Sequence, residues 1–181
     1  MIIQRTPLTT ALPFDLTAVK EYSRVDANSP EFDAEVSRMA SSAASELEAY
    51  AQLALLDQTI TVTLERGPGC SLFHLPIAPL LDALSVTVTR DGAALDAFAV
   101  ITGRRPAIRF TDGRPCGLVV IEYRAGFGET AADLPQDIAN AICDQATATF
   151  DTRGAGDGKS TGTGMSPHMA RIAARYRRVT L

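Results

Sequence analysis

The fold class is decided within EFDAEVSRMASSAASELEAYAQLALLDQTITVTL, residues 31–64, where the spacing of the apolar residues changes. Up to residue 55, apolar side chains recur every three or four positions and predict one long amphipathic helix. This apolar stripe consists of Phe32, Val36, Met39, Ala40, Ala43, Leu47, Tyr50 and Ala54. From Gln58 to Leu64, polar and apolar residues alternate, which is typical of a half-buried strand. A long helix followed directly by strands predicts an α+β fold.

The flanking sequence extends this pattern in both directions. The long helix is expected over residues 30–55, and a shorter one over residues 15–25, where Asp15 or Thr17 can cap the first turn. Residues 1–16 contain two prolines and are expected to be irregular. A last helix is expected over residues 134–152, opened by Leu134 and Pro135. The sequence therefore predicts a helical core made of two N-terminal helices and one C-terminal helix.

Short apolar runs between these helices are separated by glycine, proline and aspartate turns. They predict an inserted antiparallel β-rich region over residues 58–124, because such turns connect neighbouring strands. Further strands are expected over residues 71–75, 84–89, 98–101, 107–110 and 118–123. Residues 1–153 are thus expected to form one folded body.

The last part of the chain differs in composition from this body. Residues 154–164 form a glycine-rich linker, in which ordering costs much backbone entropy. Its hinge glycines are Gly154, Gly156, Gly158, Gly162 and Gly164. Residues 165–181 contain four arginines and no acid, whereas the preceding 164 residues carry 13 bases and 21 acids. We therefore expect a flexible, basic C-terminal arm that reaches a partner and is not packed on the body.

The spacing within the arm favours an amphipathic helix. Arg171, Arg175 and Arg178 recur at steps of four and three, which would place them on one stripe. Ile172, Tyr176 and Val179 have the same spacing and would form an apolar stripe. The alternative is a disordered, solubilising tail, since short segments are marginal helices on their own.

Composition limits the classes of function. The chain has 181 residues, a formal net charge of −4 and a pI near 5.2, which argue against nucleic-acid binding over the whole surface. Three cysteines, Cys70, Cys116 and Cys143, form no close pair and favour a reducing compartment. No apolar run approaches the length needed to cross a bilayer, so we expect a soluble chain.

Motifs for catalysis or metal binding are weak. Gly158-Lys159-Ser160 resembles the end of a phosphate-binding loop, but Arg153 stands where that loop needs a glycine. His74 and His168 have no cysteine or carboxylate at metal-ligand spacing. Cys143 lies among apolar residues and is interpreted as a core thiol. We therefore expect that the protein is not an enzyme and that it has no catalytic residue, no metal-binding residue and no cofactor.

A second basic group lies in the β-rich region. It consists of Arg104, Arg105, Arg109 and Arg114. Arginines scattered over strands and turns usually form a solvated surface or pair with acids across strands. This interpretation is favoured over a contact with DNA.

The order of several short motifs resembles one protein family. These motifs are LTAVK at residues 16–20 with RVD at 24–26, LPIAPL at 75–80, YRAGFG at 123–128, LP at 134–135 and FDTR at 150–153. Over about residues 8 to 153, the chain resembles the head-tail connector, or adaptor, proteins of long-tailed bacteriophages and of phage-like gene transfer agents. Many relatives carry tryptophan in the sheet region and tyrosine at the position of Phe150, whereas this chain has no tryptophan.

The resemblance implies a structural virion protein that is not an enzyme. About a dozen copies would form a ring beneath the portal, continue the DNA channel and offer a platform for the stopper and tail proteins. Double-stranded DNA would pass without sequence specificity, and assembly would take place in the bacterial cytoplasm without a membrane. The Ala- and Ser-rich side of the long helix would pack on a neighbouring copy's last helix.

The resemblance also gives the C-terminal arm a partner. We expect the arm to dock on the portal, with its apolar residues buried and its arginines meeting acidic groups. The expected portal-binding residues are Arg171, Ile172, Arg175, Tyr176, Arg177, Arg178, Val179 and Leu181. The alternatives are a small DNA-binding module, whose binding would weaken steeply with salt, and an enzyme whose site the sequence does not reveal.

Overall fold

A computed structural model describes residues 1–152 and 164–177, which form a mixed α+β fold as predicted. The strands are β1 Ile2–Pro7, β2 Gln58–Leu64, β3 Leu72–His74, β4 Thr87–Arg90, β5 Ala93–Ala94, β6 Phe98–Ile101, β7 Ala107–Phe110 and β8 Val119–Ala125. The helices are α1 Leu16–Tyr22, α2 Asp33–Ala51, α3 Gln136–Thr152 and α4 Pro167–Tyr176. Short 3-10 turns lie at Pro30–Phe32, Ala83–Ser85 and Ala131–Asp133.

These elements belong to two compact units. The strand unit comprises Met1–Thr10 and Leu56–Glu129, and the helical unit comprises Ala11–Leu55 together with the described residues from Thr130 onward. The chain therefore enters the helical unit twice, first between β1 and β2 and again after β8. The predicted hinge residues Gly154, Gly156, Gly158 and Gly162 lie outside the described residues, and Gly164 lies within them.

The strand unit contains two antiparallel sheets that are not closed. The larger has the order β1-β2-β8-β4-β5, and the smaller has the order β3-β7-β6. In β2, the predicted alternation places Ile60 and Val62 on the buried face, opposite Tyr123 and Ile121 of β8. The alternation of polar and apolar residues in the sequence therefore correctly predicted which side chains of β2 are buried.

Strand β1 corrects the expectation that residues 1–16 are irregular. Ile2–Pro7 pair antiparallel with β2 at the edge of the larger sheet. Most side chains of β1 are exposed, so the strand lacks the alternation that identifies a half-buried strand. Its backbone hydrogen bonds come from β2, more than fifty residues later, and local sequence does not encode that pairing.

Two of the short motifs fold against each other in the strand unit. The buried Tyr123 hydroxyl accepts a hydrogen bond from the Ile77 N–H and donates one to the Ile77 carbonyl, each at 3.1 Å. The Gly126 N–H donates to the Pro79 carbonyl at 3.1 Å. LPIAPL and YRAGFG are thus two halves of one packing arrangement, which explains why both residue patterns occur in the chain.

Lys20 organises the connection between α1 and α2 in the helical unit. Only 2% of the residue is exposed, and its ammonium group donates to the carbonyls of Ala27 and Ser29 at 2.8 Å. A third bond, of 2.7 Å, reaches Asp33 Oδ1 in the first turn of α2. All three donors of a lysine are therefore used, and a buried ammonium group needs such partners.

Helix α2 ends four residues earlier than the sequence predicted. Gln52 follows its last residue with a φ of 56°, in the left-handed region that ends helices. The Glu48 carbonyl accepts from the Leu53 N–H at 3.1 Å, and Glu48 Oε1 accepts from the Leu55 N–H at 2.7 Å. Ala54, the last member of the predicted stripe, is buried although it lies after the helix, so the apolar spacing alone extended the prediction too far.

We predict that Lys20→Met lowers the free energy of unfolding by about 2–4 kcal/mol. Methionine keeps the apolar stem but leaves two carbonyls without their donor, and unpaired buried polar groups are costly. Urea unfolding followed by circular dichroism measures the change. Arg38→Met, on the exposed side of α2, is the matched control and should stay within about 0.5 kcal/mol of the wild type. Equal losses in the two variants would contradict the role given to Lys20.

Gly126→Ala should cost more stability than Gly113→Ala. Both glycines have positive φ, 144° and 86°, so alanine is strained at either position. A Cβ atom at Gly126 would lie 2.6 Å from the Leu56 carbonyl group, whereas none of the described atoms lies within 4 Å at Gly113. We expect about 1 kcal/mol at Gly113 and at least about 3 kcal/mol at Gly126. Thermal unfolding of both variants measures the difference, and similar costs would show that the close approach is readily relieved.

Candidate docking surface

Helix α4 is built from the part of the arm that begins at Ser166. The Ser166 hydroxyl accepts from the Met169 N–H at 3.1 Å and caps the helix, and Pro167 occupies the first turn. Serine is favoured just before a helix because its side-chain oxygen accepts a hydrogen bond from a free backbone N–H group. Proline is favoured in the first turn because it has no backbone N–H that needs a partner. The predicted helix within the arm is therefore present over Pro167–Tyr176.

One side of α4 is buried in the helical unit against α2 and α3. Met169, Ile172 and Ala173 are each 5% exposed or less. At the start of the helix, the Ser166 N–H donates to Gln145 Oε1 of α3 at 2.6 Å. These contacts fix the first turn of α4 by both packing and a buried hydrogen bond.

The end of α4 is held by Asp137 in the first turn of α3. The Tyr176 hydroxyl donates to Asp137 Oδ1 at 3.0 Å, and Arg175 Nη1 lies 3.2 Å from Asp137 Oδ2. Just after the helix, the Arg177 guanidinium lies 4.8 Å from the centre of the Tyr50 ring and donates to its hydroxyl at 3.3 Å. An arginine over an aromatic ring is a favourable cation–π contact.

The expectation of an unpacked arm is wrong for residues 166–176. Ile172, which was expected to be buried in a partner, is buried in the chain's own helical unit, and the Tyr176 hydroxyl donates to Asp137 of the same unit. Fourteen residues, 153–166, separate α3 from α4, and a tether of this length gives an intramolecular contact a high effective concentration. A stripe that is apolar enough to bind a partner is therefore also able to bind its own subunit.

Exposed residues in α4 and just after it carry positive charge. We call Arg171, Arg175 and Arg177 the cationic face; all three are exposed, and the Arg175 side chain is 65% exposed. Residues 164–177 contain no acid, and Asp137 is the acid that meets this face at Arg175. The other predicted portal-binding residues, Arg178, Val179 and Leu181, lie outside the described residues.

The residues that receive α4 were not identified from the sequence. Gln145 and Asp137 lie on α3 and Tyr50 lies on α2, and none of the three was predicted to receive another segment. The sequence contained one signal, since Gln145 is polar but has helical spacing with the apolar Ile138, Ala141 and Ile142. A buried amide needs a hydrogen-bond partner, and here that partner comes from the C-terminal segment.

In the described part of the chain, the other candidate groups are not brought together into one site. Among residues 1–152 and 164–177, no three His, Cys, Asp or Glu side chains are placed to hold a metal ion. Burial raises the pKa of the Cys143 thiol, and the nearby Asp15 carboxylate raises it further, so the reactive thiolate is disfavoured. Cys70 and Cys116 are exposed. The motif Gly158-Lys159-Ser160 lies outside the described residues.

The arginines of the β-rich region are exposed on the strand unit. Arg109 lies opposite Leu72 and Ala99 in the smaller sheet, so its direct cross-strand neighbours are apolar. Arg104, Arg105 and Arg114 are exposed in the turns on either side of β7. No helix in the described ranges is both long and apolar enough to cross a membrane.

Comparisons with known proteins identify the fold. No family model and no curated protein matches the chain. A chain from the neck of an empty gene transfer agent particle, computed with C6 symmetry, matches with a TM-score of 0.80 at 20% identity over 100% of this chain and 97% of that chain. A chain from the virion of a native gene transfer agent particle gives 0.78 at 19% identity, with the same coverage. A chain from the neck of a native particle, computed with C12 symmetry, gives 0.72 at 22% identity, again with this coverage.

These matches cover the whole chain, so they include the strand unit, the helical unit and the C-terminal segment. At 19 to 22% identity they establish the fold, which is the one implied by the resemblance found in the sequence. The chain therefore has the fold of proteins that form the neck of gene transfer agent particles.

The packing of α4 predicts that Ile172→Ala releases this helix selectively. Deleting most of a buried isoleucine side chain costs about 2–4 kcal/mol, enough to raise local opening by roughly thirtyfold or more. Hydrogen exchange should therefore accelerate in residues 167–176 while α2 and α3 keep their protection. Arg171→Ala, one residue earlier and exposed, is the matched control and should change nothing. Rapid exchange of α4 in the wild type would contradict the packed arrangement.

Proposed function

We propose that this chain is a structural neck protein, a head-tail adaptor of a gene transfer agent or related phage-like particle. The proposal is carried by one observation: the whole chain, not one domain of it, shares its fold with neck chains of such particles. An isolated fold similarity says little about function, but this fold comes with a chain of nearly the same length. The protein joins the DNA-filled head to the stopper and tail, and it assembles in the bacterial cytoplasm without a membrane.

In this role the chain forms a ring of about twelve copies. The neck structures that it resembles were computed with C6 and C12 symmetry, which supports a cyclic arrangement. A ring of identical subunits needs a head-to-tail interface, in which two different surfaces of each copy meet. The ring continues the DNA channel below the portal.

The charge distribution suits a channel through which DNA slides. Residues 11–55 contain eight acids and three bases. A surface with this excess repels the phosphate backbone and gives it no site to bind tightly. Double-stranded DNA would then pass the ring without sequence specificity.

The C-terminal segment docks on the portal. Ile172 and Tyr176 face the subunit's own helical unit, where they hold α4 in place. The portal would then meet the cationic face, Arg171, Arg175 and Arg177, together with Arg178, Val179 and Leu181. Each contact is weak, but a ring presents many of them at once, and multivalency makes the attachment tight.

The cationic face also favours a second function, direct binding of DNA phosphates. Three exposed arginines without an acid among residues 164–177 are the pattern that such binding uses. This function differs from portal docking in its partner and in its salt dependence.

Charge reversal on the cationic face tests portal docking. Arg171→Glu combined with Arg178→Glu should lower attachment to portal-bearing heads by roughly tenfold or more, because each subunit exchanges two attractive contacts for repulsive ones. Co-sedimentation with heads that lack a neck measures attachment. Arg66→Glu, exposed on the strand unit, is the matched control and should attach normally.

Two further measurements separate the proposals. Removal of residues 165–181 should abolish attachment, and circular dichroism then checks that the shortened chain is folded. Unchanged attachment of the charge-reversed protein would refute portal docking by this face. If the wild type binds duplex DNA with an affinity that falls by orders of magnitude between low and moderate salt, the DNA-binding function is preferred.

A further inference from the structure

The smaller sheet carries positive charge in a part of the sequence that contains no acid. No aspartate or glutamate occurs in its three strands, in the turn between β6 and β7, or anywhere within residues 66–81 and 97–111. Residues 97–111 include Arg104, Arg105 and Arg109, and all three are exposed. We call residues 98–110, which comprise β6, the turn and β7, the arginine hairpin.

Arg109 lies on the open face of the smaller sheet. Its neighbours along β7, Ile108 and Phe110, are buried, whereas Arg109 itself is exposed. Across the strands it lies opposite Leu72 of β3 and Ala99 of β6. The sequence suggested that these arginines could pair with acids across strands, and at Arg109 the register places no acid opposite.

Arg105 lies in the turn, four residues before Arg109. The backbone beside it is fixed, because Pro106 is buried and its carbonyl accepts from the Leu75 N–H at 3.0 Å. Within the described part of the chain, no acid forms a salt bridge with Arg105 or Arg109. Arg104 already has an interaction within the chain, so Arg105 and Arg109 carry the inference.

The acids nearest in sequence lie at the end of the hairpin away from its turn. Asp96 precedes β6 and Asp112 follows β7, at the end where Phe98 lies opposite Phe110. The four residues from Arg105 to Arg109 span up to about 13 Å of extended chain. Each strand of a DNA duplex presents one phosphate for about every 3.4 Å of its axis, so the two guanidinium groups can contact different phosphates of one duplex.

A phosphate backbone suits this surface better than an acidic protein does. Protein interfaces are centred on large side chains that become buried in a pocket of the partner. Around the arginines, the exposed residues Ala99, Thr102, Gly103 and His74 are small or polar, and Ile101 is only 37% exposed. Arginine side chains, hydroxyl groups and backbone N–H groups are the donors that proteins direct at phosphate oxygens.

We propose that the arginine hairpin binds the phosphate backbone of double-stranded DNA through Arg105 and Arg109. The inference deepens the proposed function and rests on it for the presence of DNA and of a ring. Phosphate contacts carry no sequence information, so they agree with the passage of DNA without sequence specificity. Two contacts per copy are weak, but a ring offers one hairpin from each copy to the same duplex.

The salt dependence of DNA binding by the full-length protein tests this proposal. Arg105→Gln combined with Arg109→Gln should lower the affinity for a short DNA duplex roughly tenfold at low salt. It should also flatten the slope of log affinity against log salt by about two, because two phosphate contacts are lost. Fluorescence anisotropy over a series of salt concentrations measures both. Arg66→Gln combined with Arg90→Gln, exposed elsewhere on the strand unit, is the matched control and should change neither.

Two further comparisons separate this binding from a folding defect and from the cationic face of α4. Arg105→Lys combined with Arg109→Lys should keep the slope, because the charges remain. The glutamine variant should keep the melting temperature of the wild type, because both side chains are exposed. If Arg171→Gln combined with Arg178→Gln abolishes DNA binding and the hairpin variant does not weaken it, the hairpin is not the binding surface.

The outcomes distinguish this surface from the proposed function. Two contacts predict a loss of only about tenfold for a fourfold rise in salt, far less than a dedicated DNA-binding module shows. If the wild type attaches to heads but binds no DNA at low salt, or the hairpin variant binds DNA as the wild type does, the inference is overturned while the neck role stands. If the wild type does not attach to heads and the hairpin variant still weakens DNA binding, the neck role fails and the DNA contact stands. Unchanged DNA binding with lost attachment to heads would assign the hairpin to an acidic protein and overturn the inference.

Discussion

A buried ammonium group is the interaction on which the helical unit depends. Lys20 uses all three of its donors on the carbonyls of Ala27 and Ser29 and on the Asp33 carboxylate. These acceptors lie along the connection between α1 and α2, so one side chain sets where α2 begins. Because α2 and α3 together receive α4, the position of the C-terminal helix also depends on this connection. The motif that contains Lys20 is therefore structural, although it first stood out as a mark of family resemblance.

In the proposed function, the C-terminal helix serves two purposes. Its apolar side packs on α2 and α3, and its exposed arginines would meet the portal. An unpacked arm would pay the full entropy of ordering when it binds, whereas a packed helix presents its arginines in a fixed arrangement. Portal attachment through α4 is thus proposed as docking of a surface, with residues 178–181 extending it.

The two compact units divide the charge unequally. The strand unit carries eight acids and eight bases, while the helical unit carries 13 acids and nine bases. A unit without net charge suits contacts between identical copies, since net repulsion is absent. An acidic unit suits a surface that DNA passes without binding. The division of charge therefore favours the helical unit as the part that faces the proposed channel.

The sequence by itself determined the α+β class, the positions of α1 to α3, most strands and the amphipathic character of the arm, because these follow from local periodicity and capping. It did not determine β1, the end of α2 or the packing of α4. Strand β1 exists because β2 supplies its hydrogen bonds, and α2 stops where Gln52 turns left-handed and Glu48 bonds the Leu55 N–H. The placement of α4 depended in part on Gln145 and Asp137 of α3, which meet Ser166 and Tyr176 only in the folded chain. A sequence specifies which surface a segment offers, but only the folded chain specifies which surface lies opposite.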